Sequence, residues 1–255
     1  NLKKNILKIK SILVSQPKPE TAKSPYFELE DKLGLKIDFR PFIQVEGVPA
    51  KEFRQARVQI LEHTAVIFTS RTAIDHFFNI CQELRITVPD SMKYFCISEA
   101  TAFYLQKYIV YRKRKIFFGN GNFSDLINVM KKHKDEKFLV PLSDIHKPEI
   151  PDLLDKFGFK YSKAILYRTV SSDLTDLKDV NYDILVFFSP SGIKSLFQNF
   201  PDFQQNNTLI ACFGPSTAKA VKEAGLRLNI QAPTAKAPSM SMALEQYIKK
   251  ANKQS

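Results

Sequence analysis

Three short blocks of this chain occur twice, in the same order and at nearly constant spacing. The paired blocks are residues 66–74 with 185–193, 96–102 with 212–218, and 31–36 with 155–160. Order and spacing together are hard to obtain by chance. The duplication therefore restricts the fold to two similar units within 255 residues, a length that suits two domains of ordinary size.

Apolar runs that are rich in β-branched and aromatic residues alternate with stretches of helical periodicity. The runs are residues 11–14, 65–68, 94–97, 137–140, 184–188 and 209–213. Continuous runs of this length are typical of strands that helices cover on both faces of a parallel sheet. Residues 75–84, 217–224 and 240–250 have helical spacing, and Gly225 is placed to end the second of these helices. The pattern predicts an α/β protein with parallel sheets.

The sequence leaves two domain divisions open. If each repeat were contiguous, the chain would divide near residue 130. Alternatively, two extended segments, 39–45 and 164–170, are neighbouring crossovers between the domains. One domain would then comprise residues 1–38 with 171–255, and the other 46–163.

The charge of the chain restricts its partners without choosing among them. There are 38 Lys and Arg against 26 Asp and Glu, a formal net charge of +12. Such a surface favours nucleic acid, anionic lipid or a polyanionic small molecule. Three widely spaced cysteines without a CxxC pair predict buried thiols in a reducing compartment. The sequence has no membrane-length apolar run and no signal-peptide core, and it begins without Met. We therefore expect a trimmed chain in the cytoplasm.

Several catalytic and binding motifs are missing from the sequence. Gly119-Asn-Gly121 lacks the third glycine of a dinucleotide loop, and neither GxxxxGK nor GxSxG occurs. The four histidines have no partner at ligand spacing, so we expect no metal site. The basic run 111–115 lies beside aromatic residues, but a solvated strand edge is the commoner reading of such a run.

Four blocks carry a family resemblance over nearly the whole chain. They are Phe-Thr-Ser at 68–70, Ala-Ile-Leu-Tyr-Arg-Thr-Val at 164–170, Phe-Phe-Ser-Pro-Ser-Gly at 187–192 and Gly-Pro-Ser-Thr-Ala at 214–218. In order and spacing the chain resembles uroporphyrinogen-III synthases. The resemblance implies two Rossmann-like domains joined by a two-stranded linker, which supports the discontinuous division.

The resemblance also implies an activity. It is that of a cofactor-free hydro-lyase that converts hydroxymethylbilane, a linear tetrapyrrole with eight carboxylates, to uroporphyrinogen III. The reaction loses water, inverts ring D through a spiro intermediate and closes the macrocycle. A basic protein with a cleft suits such a substrate, since clefts of one charge concentrate anions. We expect a monomer with no nucleic-acid or membrane partner.

Tyr167 matches the tyrosine that helps the hydroxyl to leave in this family. A phenol keeps its proton at neutral pH and can donate it. The alternative is a strand tyrosine that packs its ring and hydrogen-bonds its hydroxyl.

The other predicted site residues follow buried strands, where backbone N–H groups and the helix dipole can hold a carboxylate. In both repeats a serine or threonine at such a point can equally cap its own helix. Arg71 and Lys147 are the cations we expect to bind carboxylates. The predicted substrate-binding set is Ser70, Arg71, Thr101, Lys147, Ser189, Ser191, Gly214, Ser216 and Thr217.

The chain departs from the family pattern at a few positions. Ser98-Glu99 replaces a frequent glycine, and Glu99 would repel substrate carboxylates if it faced them. Gln16 stands where arginine is common, and Ser143 and Lys147 stand where glycine and arginine are common. These departures leave open a family member with weakened activity. A non-catalytic two-domain module that binds an anionic small molecule, and nucleic-acid binding through residues 111–115, are the rival functions.

Overall fold

The computed structural model describes residues 8–253 of the chain. Residues 1–7 and 254–255 lie outside the described residues. The chain divides into two compact units. Unit 1 contains the chain up to Gln44 and from Val170 onward, and unit 2 contains Val45–Thr169. Unit 1 is therefore built from both ends of the chain, and unit 2 is continuous.

The elements are numbered in chain order. The strands are β1 (Ser11–Val14), β2 (Lys36–Phe39), β3 (Ile43–Gly47), β4 (Ala65–Phe68), β5 (Lys93–Cys96), β6 (Ile116–Phe118), β7 (Lys137–Ser143), β8 (Lys160–Ser171), β9 (Ile184–Phe187), β10 (Leu209–Phe213) and β11 (Ile230–Ala232). The helices are α1 (Pro25–Leu33), α2 (Ala50–Gln55), α3 (Arg71–Glu83), α4 (Glu99–Tyr104), α5 (Phe123–Met130), α6 (Glu149–Lys156), α7 (Pro190–Asn199), α8 (Pro215–Glu223) and α9 (Met240–Lys253).

Unit 1 is a five-stranded parallel sheet in the order β11-β10-β9-β1-β2. Successive side chains along its strands point alternately into two cores, one on each face of the sheet. Ile12 and Val14 pack with α1 and α9 on one face, while Leu13 packs with α7 and α8 on the other. Strands covered on both faces are continuously apolar, which explains the unbroken apolar runs in the sequence.

Unit 2 contains a six-stranded sheet in the order β3-β8-β7-β4-β5-β6, in which β8 to β6 are parallel. Val66 and Phe68 face the core that includes residues of α2, α3 and α4. Ala65 and Ile67 face the core that includes α5 and α6. Without β3, the strand order of unit 2 matches that of unit 1 when it is read in reverse, so that β6, β5, β4, β7 and β8 correspond to β11, β10, β9, β1 and β2.

The duplicated blocks occupy equivalent places in the two units. In each unit a helix ends at a glycine with left-handed backbone, Gly34 (φ 63°) after α1 and Gly158 (φ 69°) after α6. A strand begins two residues later, β2 in unit 1 and β8 in unit 2. Glycine adopts this conformation without a Cβ penalty, which explains the repeated Asp-Lys-x-Gly sequence.

The predicted α/β fold class is confirmed, since both sheets are predominantly parallel and helices cover them. Cys81, Cys96 and Cys212 are buried and free. Within residues 8–253, no helix combines the length and the apolar character needed to span a bilayer.

Candidate functional site

The carboxyl ends of β4 and β7 form a crevice in unit 2. The two strands are neighbours in the sheet, but β4 leads through α3 toward β5, and β7 leads through α6 toward β8 on the other side. Ligands of open α/β sheets bind at such a change of direction. A cavity of about 350 Å³ lies here, and its polar lining consists of Thr69, Ser70, Asn122, Ser143, His146, Lys147, Glu149 and Tyr167.

Tyr167 reaches this cavity from β8. The register between β7 and β8 shifts beside it, because Leu142 pairs with Ile165 whereas Ser143 pairs with Tyr167. The extra residue, Leu166, makes a bulge, and bulges re-aim the side chains that follow them. The Tyr167 side chain is 9% exposed, and its hydroxyl oxygen lies 3.5 Å from Ser70 Oγ.

Ser70 has two neighbours that bear on function. It precedes α3, and its Oγ accepts a hydrogen bond of 3.0 Å from the Ala73 N–H. Capping therefore uses the lone pairs of Oγ and leaves the Ser70 hydroxyl proton free for the Tyr167 oxygen or for a ligand. The capping role and a ligand-contact role are compatible at this residue.

The loop that follows β7 carries the cation of the cavity, Lys147. Asp144 anchors this loop, since its carboxylate accepts hydrogen bonds from the N–H groups of Thr169 (3.1 Å) and Ile145 (2.8 Å). Desolvation alone would raise the pKa of the Asp144 carboxyl, but these hydrogen bonds and one from Ser143 outweigh it and lower that pKa. The Lys147 side chain is exposed and lines the cavity together with the acidic Glu149.

Two other predicted site residues of unit 2 lie away from this lining. The Arg71 guanidinium carbon lies 5.5 Å from the centre of the Tyr104 ring. Thr101 is 6% exposed, and its hydroxyl lies 3.1 Å from Ser98 Oγ. Ser98 also accepts a 3.3 Å hydrogen bond from the Thr101 N–H, so this helix start is capped by its own side chain.

In unit 1 the equivalent change of direction lies at the carboxyl ends of β1 and β9. Ser189 follows β9 and caps α7, with Oγ accepting a 3.2 Å hydrogen bond from the Gly192 N–H. Ser191 lies in the first turn of the same helix and is half-buried. Both predicted serines therefore stand at a helix N-terminus, where the dipole favours an anion.

The turn between β10 and α8 differs from the other predicted positions because no side chain caps its helix. Gly214 precedes α8 with φ 91° and ψ 155°, a conformation available to glycine almost alone. It provides no side-chain cap, and Pro215 has no N–H. The amides of Ser216 and Thr217 are thus left without the acceptor that a capping side chain supplies. Thr217 is 1% exposed, and its buried hydroxyl has no hydrogen-bond partner.

The arrangement offers two kinds of chemistry. Unit 1 presents unsatisfied donors at the Gly214 turn, which suits a carboxylate. Unit 2 presents a phenol beside a serine hydroxyl, which suits transfer of a proton. No group of three or more His, Cys, Asp or Glu side chains within residues 8–253 is placed to hold a metal ion.

Sequence reasoning missed several residues of the unit 2 cavity, including Asn122 and His146. The sequence signal for Asn122 is the glycine that precedes it. Gly121 has φ 106°, a turn conformation that favours glycine, so a glycine here indicates a tight turn beside Asn122. As a sequence motif, Gly119-Asn-Gly121 indicates only an incomplete dinucleotide loop. His146 belongs to no sequence motif that would have indicated it. In the structure its Nδ1 lies 2.8 Å from the Ser143 carbonyl oxygen.

Two sequence comparisons, which cover most of the chain, match the same family. The family model described as "Uroporphyrinogen-III synthase HemD" matches residues 25–241. The uroporphyrinogen-III synthase of Chlorobaculum parvum is 23% identical over 260 residues, covering 94% of this chain and 100% of that protein.

Two solved structures are similar in fold. One is the uroporphyrinogen-III synthetase of Helicobacter pylori, with TM-score 0.59, 17% identity, and coverage of 95% of this chain and 100% of that one. The other is a substituted uroporphyrinogen III synthase of Thermus thermophilus, with TM-score 0.51, 16% identity, and coverage of 96% and 100%. At such identities the two structures establish a shared fold.

Proposed function

The chain belongs to the uroporphyrinogen-III synthase family, and from this premise we propose how its two units share the reaction. It is an enzyme of tetrapyrrole biosynthesis, a hydro-lyase that acts on a small-molecule tetrapyrrole. The proposed substrate is hydroxymethylbilane. The proposed product is uroporphyrinogen III, formed with loss of water and inversion of ring D.

The observation that carries the proposal is the Thr217 hydroxyl, which is buried and has no partner. A buried polar group without a hydrogen bond costs stability, so the position is costly unless a ligand completes it. The backbone N–H groups of Ser216 and Thr217 can also donate hydrogen bonds to an anion, since they lie at the positive end of the α8 dipole. We propose that a substrate carboxylate binds this turn.

Tyr167 is the proposed proton donor. Its phenol gives a proton to the leaving hydroxyl of the substrate, and the C–O bond breaks as water departs. The electron pair of the adjacent pyrrole stabilises the cationic carbon and gives a protonated azafulvene, which keeps its pyrrole N–H beside the phenolate. When ring closure later releases a proton from the rearranged pyrrole, that proton restores the phenol, so the sequence loses one water and consumes no acid. Ser70 supports the step through its contact with the Tyr167 hydroxyl.

The remaining work is positional. The azafulvene closes without help to the wrong isomer, so the enzyme has to hold ring D where attack occurs at its substituted carbon. Several fixed carboxylates restrict that geometry at little entropic cost once bound. We propose Ser189, Ser191 and Lys147 as further contacts. Arg71 and Thr101 stay predictions from the sequence, since they lie outside the cavity lining, Arg71 against the Tyr104 ring and Thr101 against Ser98.

We further propose that the enzyme acts as a monomer in the cytoplasm. The buried free thiols support a reducing compartment, and burial raises the pKa of Cys81 and of Cys96 to about 12, which keeps them unreactive.

The test is the isomer ratio of uroporphyrin after freshly generated hydroxymethylbilane is mixed with the protein and the product is oxidised. A reaction without protein gives the spontaneous ratio as control. Predominantly type III product supports the proposal. Type I product at the spontaneous rate contradicts it, and tight binding of the linear tetrapyrrole without conversion would then identify a binding module.

A further inference from the structure

A histidine that no sequence motif singles out packs against the proposed proton donor. His76 lies on α3, six residues after Ser70, and its ring stacks on the ring of Tyr167. The ring centroids are 4.9 Å apart, and the planes differ by 14°. Both residues belong to unit 2, and so does the Ser70 hydroxyl that faces the phenol.

A parallel stack at this distance restrains a tyrosine in a specific way. The phenol cannot tilt without losing its face contact with the imidazole, so the stack fixes the plane of the ring. The phenolic O–H bond lies preferentially in the plane of the aromatic ring, so this plane sets the direction in which the hydroxyl donates its proton. Since the Tyr167 hydroxyl is 3.5 Å from Ser70 Oγ, a small tilt suffices to change that contact.

The space for His76 comes from a residue without a side chain. A Cβ at Gly47 would lie 3.2 Å from His76 Nδ1 and 3.5 Å from Cε1. Gly47 ends β3, and its φ is not in the left-handed region, so its backbone does not itself require glycine. The glycine instead allows the imidazole to lie between β3 and Tyr167.

The imidazole is held neutral at physiological pH. Burial lowers the pKa of His76, and the neighbouring Asp75 opposes this only in part. The Asp75 carboxylate is itself occupied, because it accepts hydrogen bonds from the hydroxyls of Tyr104 and Tyr108 and lies near the Lys107 ammonium. A neutral ring stacks on the phenol without placing a charge over it.

We propose that His76 is a positioning residue, which holds the Tyr167 ring in the plane that directs its hydroxyl to the reacting oxygen. The proposal rests on the proposed role of Tyr167. It assigns no contact between His76 and the substrate. The effect of His76 therefore passes through the placement of the Tyr167 hydroxyl.

Kinetics of four variants test the role. We expect His76→Ala to lower kcat about tenfold with little change in KM, since misplacement of a reacting group slows chemistry more than binding. His76→Phe keeps a planar ring at the same place and should restore kcat to within about twofold of the wild type. Gly47→Ala pushes the imidazole and should give an intermediate loss. Asn79→Ala, exposed on the same helix, is the matched control and should leave kcat unchanged.

A double variant separates positioning from a general effect on the fold. In a Tyr167→Phe background the hydroxyl is already absent, so His76→Ala should add almost nothing to the loss in kcat. An equal loss in both backgrounds would overturn the proposal. So would a His76→Phe variant as slow as His76→Ala, because that result would exclude stacking as the cause.

A readout without catalysis distinguishes this proposal from the proposed function. In the NMR spectrum the Hε1 proton of His76, identified by its absence in His76→Phe, should be shifted by the ring current of Tyr167. Tyr167→Leu should return it toward the position of a free imidazole. No change would refute the stack even in an active enzyme. A normal change in a protein that makes only type I product would instead refute the synthase function.

Discussion

The two units contain the same strand-to-helix turn, and the two copies differ in whether they are capped. In unit 2 the turn after β5 is closed, because Ser98 caps α4 and shares a hydrogen bond with the Thr101 hydroxyl. In unit 1 the turn after β10 begins with Gly214, which caps nothing, and the Thr217 hydroxyl is buried without a partner. Both threonines follow a buried cysteine at the same spacing.

The difference shows how a duplicated element can be divided between stability and binding. A capped turn satisfies its donors within the protein and has nothing left for a ligand. An uncapped turn sacrifices some stability and keeps donors that an anion can complete. Glu99 strengthens the contrast, since a carboxylate in the first turn of α4 already occupies the positive end of that helix. In this account unit 1 binds and unit 2 carries the proton donor.

The largest effect should come from the donor. We expect Tyr167→Phe to lower kcat about 100-fold while KM and the free energy of unfolding change little, because the ring and its stack remain. Steady-state kinetics with freshly generated hydroxymethylbilane measure this. Tyr161→Phe is the matched control on the same strand, since it removes a hydroxyl bonded to Asp155 away from the cavity. Equal kinetics for the Tyr167 variant and the wild type would remove Tyr167 from the mechanism.

The same substitution at the two paired threonines should change the free energy of unfolding in opposite directions. Thr217→Val removes a buried hydroxyl that has no partner, so it should stabilise the free protein by about 1 kcal/mol. Thr101→Val removes a hydroxyl that has one and should destabilise by about 1 kcal/mol. Urea denaturation of both variants measures the two changes. Equal signs would show that the two turns are satisfied alike.

The sequence alone could not have given this contrast. The Cys-x-x-x-x-Thr-Ala spacing is the same in both repeats, and the α/β class and the six apolar runs that form β1, β4, β5, β7, β9 and β10 follow from local pattern. Whether a hydroxyl has a partner depends on the position of one other side chain. The departure at Ser98 was visible, but its hydrogen bond to Thr101 was not.

The environment of Tyr167 was also out of reach of the sequence. It depends on a bulge at Leu166, which follows from pairing with β7, and on His76, which comes from a distant helix. Apolar periodicity predicts which residues are buried. It does not predict a register shift between two strands or the contacts that a register shift creates.

Two serines provide a smaller test of the same division. Ser70→Ala and Ser189→Ala each remove a helix cap, and each should lower the free energy of unfolding by about 1 kcal/mol. Ser70→Ala should in addition lower kcat severalfold, because it removes the neighbour of the Tyr167 hydroxyl. Thermal unfolding and steady-state kinetics on both variants separate the two effects. A kcat loss confined to Ser189→Ala would reverse the assignment of the two units.

The smallest effect concerns pH, and it should be confined to unit 2, which contains all four histidines. His63 is buried, its Nδ1 lies 2.7 Å from the Gln59 carbonyl oxygen, and its Nε2 has no partner. Desolvation lowers the pKa of His63 below its ordinary 6.5. The unfolded chain therefore binds the proton first, so stability is complete above pH 6.5 and falls as the pH decreases below it.

We expect this to lower Tm by about 2–4 °C between pH 7.5 and pH 5.5. A His63→Gln variant, which keeps a donor for the Gln59 carbonyl but does not titrate, should lose part of that dependence. Differential scanning calorimetry at the two pH values measures it. A steeper acid loss in the variant than in the wild type would mean that protonated His63 stabilises the fold.

The most direct test of the contrast between the two turns is KM for hydroxymethylbilane in Thr217→Val and Thr101→Val, measured side by side under identical conditions. Loss of a hydrogen bond to a charged ligand group predicts an increase in KM of about tenfold for Thr217→Val. The Thr101→Val variant should keep the wild-type KM within about twofold, because its hydroxyl is bound to Ser98. An equal increase in both variants, or an unchanged KM in Thr217→Val, would contradict the account.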